Sequence, residues 1–139
     1  MNHWLLKSEP SAYSWDRLVK ERTASWTGIR NHQAANNLKA MKKGDHAFFY
    51  HSGAGPAIVG ICQVTREAYP DPTDKSGRFV AVDVKPLESM KRAVGLSEIK
   101  GEPRLGDLAL LRQSRLSVVP VGLTHWRLIM AMGGARLCG

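Results

Sequence analysis

The fold is decided by the stretch SWTGIRNHQAANNLKAMKKGDHAFFYHS, residues 25–52. Near its start it has a tryptophan, Trp26, and a glycine, Gly28; it continues as a polar helical pattern to Met41 and turns through Lys-Lys-Gly-Asp into an aromatic strand. Polar side chains occur at nearly every turn of the predicted helix, whereas an ordinary amphipathic helix confines them to one face. Such side chains either satisfy backbone groups in a turn or face a ligand.

Composition indicates a globular protein of one domain. The chain has 139 residues, of which 43% are hydrophobic and 23% charged, and a chain of this length buries roughly two-thirds of its unfolded surface without a disulfide or a metal. The net charge of +8 favours a polyanionic partner. Cysteines and histidines form no cluster with metal-ligand spacing, so we predict no metal and no cofactor. Cys62, in an apolar strand pattern, is expected in the core.

The chain opens directly into a strand pattern, without the features of a signal peptide, and no apolar run approaches membrane length. We therefore expect a cytoplasmic protein that does not contact membranes, and we expect a monomer. Residues 1–139 should form a single domain, ordered over about residues 2–132, with a frayed tail over 133–139 that contains Cys138.

Periodicity predicts an α/β protein of the α+β kind, with a mixed, curled sheet of five to six strands and short helices packed around it. The predicted strands are residues 1–7, 45–51, 57–67, 78–87 and 116–121, and the predicted helices are 15–21, 29–41, 96–100, 105–112 and 125–132. Residues 23–27 and 69–77 have the composition of loops. Expected N-caps are Ser14, Ser97 and Thr124, and Pro120 predicts either an edge strand or a bulge. The first helix should bury Leu18 and Val19.

Trp26 has two interpretations that the sequence leaves open. It is either the flat wall of a pocket on which an unstacked base stacks or a plug in the core between helices. Gly28 would allow a backbone to approach closely. Next to it, the guanidinium of Arg30 and the amides of Asn31, Gln33 and Asn37 suit the hydrogen-bonding edge of a base, although amides also cap turns.

Three shorter clusters carry polar chemistry, each with a plainer interpretation as a solvated strand end or turn. The first strand ends in Lys7-Ser8-Glu9-Pro10, and the segment Arg112–Ser117 places two guanidiniums beside two hydroxyls, which suits phosphate oxygens. His51 and Ser52 are adjacent in a strand, so they point to opposite faces and do not readily form a nucleophile–base pair. We therefore assign no catalytic residue.

Several longer runs occur together in a fixed order: WLLKSEP at 4–10, WTGIRNHQAANNL at 26–38, MKKGD at 41–45, FFYHS at 48–52, IVGI at 58–61, EAYPDPT at 67–73 and LLRQSRLSVVPV at 110–121. Together they resemble the EVE domain family of the PUA-like superfamily, which is related to YTH and ASCH domains. The resemblance implies a PUA-like pseudobarrel. It also implies a non-catalytic reader that accepts a flipped, modified base, most often a modified cytosine such as 5-methylcytosine in DNA.

The same resemblance implies a set of site residues. Trp26 would be the stacking wall, edge-reading groups would surround it, and basic residues would hold the phosphates. The implied base pocket comprises Ser8, Glu9, Trp26, Gly28, Arg30, Asn31, Gln33, His51, Ser52, Tyr69 and Pro70. The implied phosphate-binding residues are Lys7, Arg115 and Ser117.

Two departures from the family pattern bear on specificity. Family members often carry an aromatic residue where this chain has His32, and many have a longer, aromatic-rich insertion after the position of Thr73. Two other functions stay open at this point. One is a small hydrolase of modified nucleosides, similar to ASCH-type proteins, that would use Lys7 and Glu9 with Ser52. The other is an RNA-binding module.

Overall fold

The computed structural model describes residues 1–136 of the chain. Within that range the strands are β1 (His3–Ser8), β2 (Ala24–Trp26), β3 (His46–His51), β4 (Ala57–Pro70), β5 (Val80–Gly95) and β6 (Val118–Val121). The α-helices are α1 (Trp15–Glu21), α2 (His32–Ala40), α3 (Leu96–Lys100), α4 (Ala109–Arg112) and α5 (Leu123–Gly133), with a 3₁₀ turn at Pro103–Leu105.

All six strands belong to one sheet in the order β2-β5-β4-β3-β1-β6. β1 pairs with β3 in parallel, and the remaining neighbours are antiparallel. The sheet is mixed and curled without closing, and short helices lie around it, which confirms the predicted α+β fold. β6 lies at an edge of the sheet, as Pro120 predicts, because proline has no N–H to donate to a second neighbour.

Two regions predicted as loops contain strand residues, although residues 71–77 form turns as predicted. The segment around Trp26 forms β2, because its backbone pairs with Val82–Val84 of β5. β4 continues to Pro70 and β5 to Gly95, so the two form a long antiparallel ribbon that the loop-like composition around Tyr69 concealed. α2 starts three residues later than expected, and the predicted helix 105–112 is a 3₁₀ turn followed by the short α4.

Helix α1 packs through Trp15 and Leu18, whereas Val19 is 45% exposed and the prediction of its burial is wrong. Trp15 lies directly over Gly60 of β4. A Cβ at position 60 would come within 2.3 Å of the Trp15 ring, so no larger residue fits there without movement of the indole. Ser14 caps α1 as predicted, with its side chain accepting from the backbone N–H of Arg17 at 3.1 Å.

The other predicted caps are wrong, because glycines take those positions. Gly95 precedes α3 and Gly122 precedes α5, which places Ser97 and Thr124 inside their helices. α5 runs to Gly133, so this residue is helical and not part of a frayed tail. Residues 137–139 of the predicted tail, Cys138 among them, lie outside the described residues.

The core occupies both faces of the sheet. Phe48 stacks on Trp126 of α5 on one face, and Phe49 contacts Trp15 and Trp26 on the other. Cys62 is fully buried, as expected, and burial raises the pKa of its thiol to about 12. Among residues 1–136, no helix has the length and apolar character needed to cross a membrane.

Candidate nucleic-acid interface

An open cavity of about 320 Å³ lies where the end of β1 approaches β2. One wall consists of Lys7, Ser8, Glu9, Ala12 and Tyr13, from β1 and the turn that follows it. The opposite wall consists of Ala24, Ser25, Trp26, Thr27 and Ile29, from β2 and the loop after it. We call this space the Trp26 cavity. It brings together four of the predicted site residues, Lys7, Ser8, Glu9 and Trp26.

Trp26 is both a core residue and part of the cavity wall. Only 7% of its surface is exposed, and its ring meets Phe49 edge to face with centroids 5.6 Å apart. Tyr13 stands at 88° to the indole on the cavity side, with centroids 6.3 Å apart. The two interpretations that the sequence left open therefore both apply in part. The aromatic lining of the cavity is a pair of rings at right angles, one from each wall, and not a single flat ring.

Tyr13 is a cavity residue that the sequence analysis missed. Its backbone is fixed by a tight turn, because its N–H donates to the Glu9 carbonyl at 2.9 Å and its own carbonyl accepts from the Ser8 hydroxyl at 2.5 Å. Its phenol donates to Glu21 at 2.8 Å. Burial, together with that hydrogen bond, raises the pKa of Tyr13 to about 12, so the phenol stays neutral. The sequence around Tyr13 carries no signal of this place, because it depends on the turn that joins Tyr13 to Glu9.

The loop after Trp26 is held by Asp71, a second residue that the sequence analysis missed. Its buried carboxylate accepts from the Gly28 N–H at 2.8 Å, from Arg30 at 3.0 Å and from the backbone and hydroxyl of Thr73, each at 2.7 Å. These hydrogen bonds hold the pKa of Asp71 well below its usual range despite the opposing effect of burial. The signal was the Asp-Pro-Thr sequence, typical of a turn in which aspartate accepts from the residue two positions on.

Gly28 and Arg30 therefore clamp the cavity wall and do not line the cavity. Gly28 has a φ of 83°, a left-handed conformation that favours glycine. Arg30 has its guanidinium 5.4 Å from the Phe79 ring centroid and donates to Thr73 at 3.0 Å. His32, where relatives often have an aromatic residue, packs its ring against the same Phe79 at 5.3 Å.

The amides of α2 face away from the Trp26 cavity. Asn31 caps the helix by accepting from the Ala34 N–H at 2.9 Å, and Asn37 donates to the Val118 carbonyl at 2.7 Å. Gln33 donates to Gln113 at 2.7 Å. A polar cavity of about 270 Å³, here called the amide cavity, is lined by Asn31, Gln33, Gln113, Ser114, Arg115 and Leu116. The structure thus divides the predicted edge readers between two cavities.

His51 and Ser52 lie at the end of β3 and serve different partners. The His51 Nε2 accepts from the Trp15 backbone N–H at 2.9 Å, which fixes the start of α1, and burial lowers the pKa of His51. The Ser52 hydroxyl donates to a Glu9 carboxylate oxygen at 3.4 Å. Neither residue lines the Trp26 cavity, although Glu9 does.

Lys7 lines the Trp26 cavity and also a separate cavity beside Tyr50. Its ammonium donates to the Ser114 carbonyl at 2.8 Å and lies 5.9 Å from the Tyr50 ring centroid. Burial lowers the pKa of Lys7. Within residues 1–136 it forms no ion pair with Glu9, so the lysine–carboxylate–hydroxyl cluster expected of a hydrolase is not assembled. Its backbone N–H donates to the Ser117 carbonyl at 3.0 Å, which places Ser117 beside the edge of β1.

Tyr69 and Pro70 lie outside the Trp26 cavity, on the last two positions of β4. The Tyr69 hydroxyl donates to Asp83, and the Arg66 guanidinium lies 3.9 Å from the Tyr69 ring centroid. Among residues 1–136, no three histidine, cysteine or acidic side chains come together in a way that could hold a metal ion.

The sequence profile of the EVE domain matches residues 2–132. The chain belongs to the EVE domain family. Thymocyte nuclear protein 1 of Gallus gallus is 37% identical over an alignment of 165 positions, which covers 94% of this chain and 68% of that protein. These comparisons confirm the family resemblance found in the sequence motifs.

Solved structures of similar proteins share the fold over nearly the whole chain. The solution structure of a Rhodopseudomonas palustris protein is 52% identical, with a TM-score of 0.92 over 96% of this chain and 94% of that one. The crystal structure of human THYN1 protein in complex with 5-methylcytosine-containing DNA is 32% identical. Its TM-score is 0.87 over 99% of this chain and 100% of that one.

Proposed function

We propose that this protein is a non-catalytic reader of a modified base in nucleic acid, and that the base is a modified cytosine in DNA. The observation that carries the proposal is the Trp26 cavity, an open space with two aromatic walls and polar groups at one side. Support also comes from human THYN1 protein, which has been solved in complex with 5-methylcytosine-containing DNA.

The size and chemistry of the Trp26 cavity suit a single planar ring. At about 320 Å³ it lies at the small end of the range for ligand pockets, about 300–1,000 Å³. A base placed in it would contact the exposed part of Trp26 or the Tyr13 ring, and aromatic contacts of this kind contribute ~1–3 kcal/mol per base. Flipping a base out of a duplex costs a few kcal/mol, so stacking and edge hydrogen bonds together offset that cost.

Glu9 is the edge-reading group that the geometry favours. Its carboxylate lies at the cavity wall, where it already accepts from Ser52. A carboxylate accepts a hydrogen bond from the exocyclic amino group of cytosine. The net charge of +8 would attract the phosphate backbone independently of sequence and make the overall affinity fall with salt.

The test is binding of a short fluorescent duplex that carries one 5-methylcytosine, compared with the unmodified duplex, at two salt concentrations. Wild-type protein should prefer the modified duplex at both concentrations. Trp26→Ala should lower affinity for the modified duplex by about 5- to 140-fold, the equivalent of one lost stacking contact. Because Trp26 also packs on Phe49, Trp26→Phe accompanies it as a variant that keeps an aromatic ring in the core.

The matched control is Trp4→Phe, which alters a buried tryptophan whose indole donates to Asp45 at 3.0 Å, outside the Trp26 cavity. It should keep the preference for the modified duplex. Wild-type affinity in both folded Trp26 variants would contradict the proposal. If the protein instead prefers RNA that carries the same modified base, the Trp26 cavity stays the proposed base-binding site and the proposed polymer becomes RNA.

A further inference from the structure

A third cavity lies on the other side of Lys7 from the Trp26 cavity. It measures about 240 Å³ and is lined by Lys7, Tyr50, Leu96, Lys100, Leu110, Leu111 and Ser114. We call it the two-lysine cavity. Leucines from α3 and α4 supply an apolar floor, and two ammonium groups supply the charge. In the part of the chain that the structure describes, none of its lining residues is acidic. This chemistry suits an apolar or flat group that carries an anion.

Lys7 connects the two cavities, because it lines both. One of its N–H groups donates to the Ser114 carbonyl at 2.8 Å, and an ammonium has three such groups. Two donors therefore stay available to a ligand that passes from one cavity to the other. The partial burial that lowers the pKa of Lys7 also reduces screening of its charge by water, which strengthens a contact with a phosphate.

We propose that the two-lysine cavity binds the nucleotide next to the flipped base on the same strand. The linking phosphate contacts Lys7, the neighbouring sugar and base lie on the leucine floor, and Lys100 contacts the phosphate beyond. This assignment rests on the proposed function and adds a second nucleotide subsite to it. Charge complementarity and the shared Lys7 favour this occupant over an unconnected anion, since a single strand links both cavities through one phosphate.

The test uses the full chain, labelled with nitrogen-15 for NMR titration. The probes are 5-methyl-2′-deoxycytidine and two trinucleotides that carry 5-methylcytosine at one end, with two thymidines on its 5′ or its 3′ side. At least one trinucleotide should bind more tightly than the nucleoside and shift the amides of Leu96, Lys100 and Leu111 as well as those around Trp26. Lys100→Glu should weaken that trinucleotide about 10-fold and leave nucleoside affinity unchanged.

The matched control is Lys85→Glu, which makes the same charge change at an exposed position of β5 outside both cavities. Equal weakening by Lys100→Glu and Lys85→Glu, or trinucleotide shifts confined to the Trp26 cavity, would overturn the second subsite and keep the proposed function. Absence of nucleoside shifts around Trp26 would instead refute the proposed function, and the second subsite with it.

Discussion

Phe48 and Phe49 are neighbours in β3, yet they lie under two tryptophans in very different surroundings. Phe48 stacks on Trp126 with centroids 3.8 Å apart, and Trp126 is 1% exposed beneath α5. Phe49 meets Trp26, which borders an open cavity. Alternation along a strand sends neighbouring side chains to opposite faces. The same two-residue sequence therefore supports a sealed face and an open face.

The difference between the faces lies in what covers them. On the sealed face α5 places an indole across Phe48, and His3 and His46 pack against that indole at 4.5 and 6.3 Å. On the open face the turn after β1 and the loop after β2 meet at the cavity without closing it. We infer that the sealed face contributes mainly to stability. The open face contributes less stability and provides a binding surface.

The largest expected effect is loss of stability when the sealed face loses its indole. Trp126→Ala removes a side chain that stacks on Phe48 and leaves a cavity under α5, which should lower the free energy of unfolding by about 3–5 kcal/mol. Urea unfolding followed by circular dichroism measures this. Among residues 1–136 the Trp126 indole N–H has no hydrogen-bond partner, so Trp126→Phe should cost less.

The same pair of variants checks the division between the faces. The affinity of the folded Trp126→Phe protein for the 5-methylcytosine duplex should be within about 2-fold of wild type, because Trp126 and the Trp26 cavity lie on opposite faces of the sheet. Leu123→Ala, at an exposed position of the same helix, should change stability by less than about 0.5 kcal/mol. A large binding loss in Trp126→Phe would break the separation of stability and binding.

A smaller effect should appear on acidification, and it involves one histidine from each face. Burial, followed by the nearby His3, lowers the pKa of His46, and burial lowers the pKa of His51. The unfolded chain then binds more protons than the folded chain as the pH falls through the ordinary histidine value of about 6.5. Stability should therefore be complete above that pH and decrease below it. Urea midpoints at pH 7.5 and 5.5 measure the change.

Substitution separates the two contributions. His46→Gln and His51→Gln should each reduce the difference between the two midpoints, whereas His32→Gln, at an exposed position, should preserve it. His51 also accepts from the Trp15 backbone at 2.9 Å, so His51→Gln should lower stability at pH 7.5 as well. Unchanged midpoints between pH 7.5 and 5.5 in the wild type would contradict the assignment of both imidazoles as neutral.

The fold could be predicted from the sequence where local pattern and tertiary packing agree. The helix from Trp15, its Ser14 cap and the edge position of Pro120 all follow from residue chemistry. β2 could not be predicted, because a three-residue strand exists only through its pairing with β5. The caps Gly95 and Gly122 were missed for a related reason: a glycine caps a helix with its backbone and leaves no side-chain signal.

The candidate site could be predicted in its residue types more than in its arrangement. Family motifs named Trp26 and Glu9, which meet at one cavity. Asn31 and Arg30 were named as well, yet one caps α2 and the other pairs with Asp71 at 3.0 Å. A sequence indicates that a polar side chain needs a hydrogen-bond partner, but it cannot show whether that partner is a ligand or another group of the same chain. Tyr13 was missed because its role depends on a turn that only the folded chain forms.

The smallest expected effect concerns Ser52, at the rim of the open face. Its hydroxyl donates to Glu9 over a long 3.4 Å, so Ser52→Ala should change the free energy of unfolding by less than about 0.5 kcal/mol. It should also leave affinity for the modified duplex within about 2-fold of wild type. The same variant separates reader from hydrolase, because a serine nucleophile cannot be replaced by alanine without loss of turnover.

The decisive measurement is chromatography of acylated and methylated cytidines after incubation with wild-type protein, Ser52→Ala and Glu9→Gln. If the protein is a reader, none of the three proteins releases product. In the duplex-binding assay, Glu9→Gln should then weaken binding, whereas Ser52→Ala should not. Product from the wild type that disappears in Ser52→Ala would make the open face an active site. The weak Ser52–Glu9 contact and the position of Lys7, whose ammonium donates to Ser114, argue for the reader. A general base takes a proton from a hydroxyl at about 2.6–3.2 Å, and the Ser52 hydroxyl contacts Glu9 only at 3.4 Å.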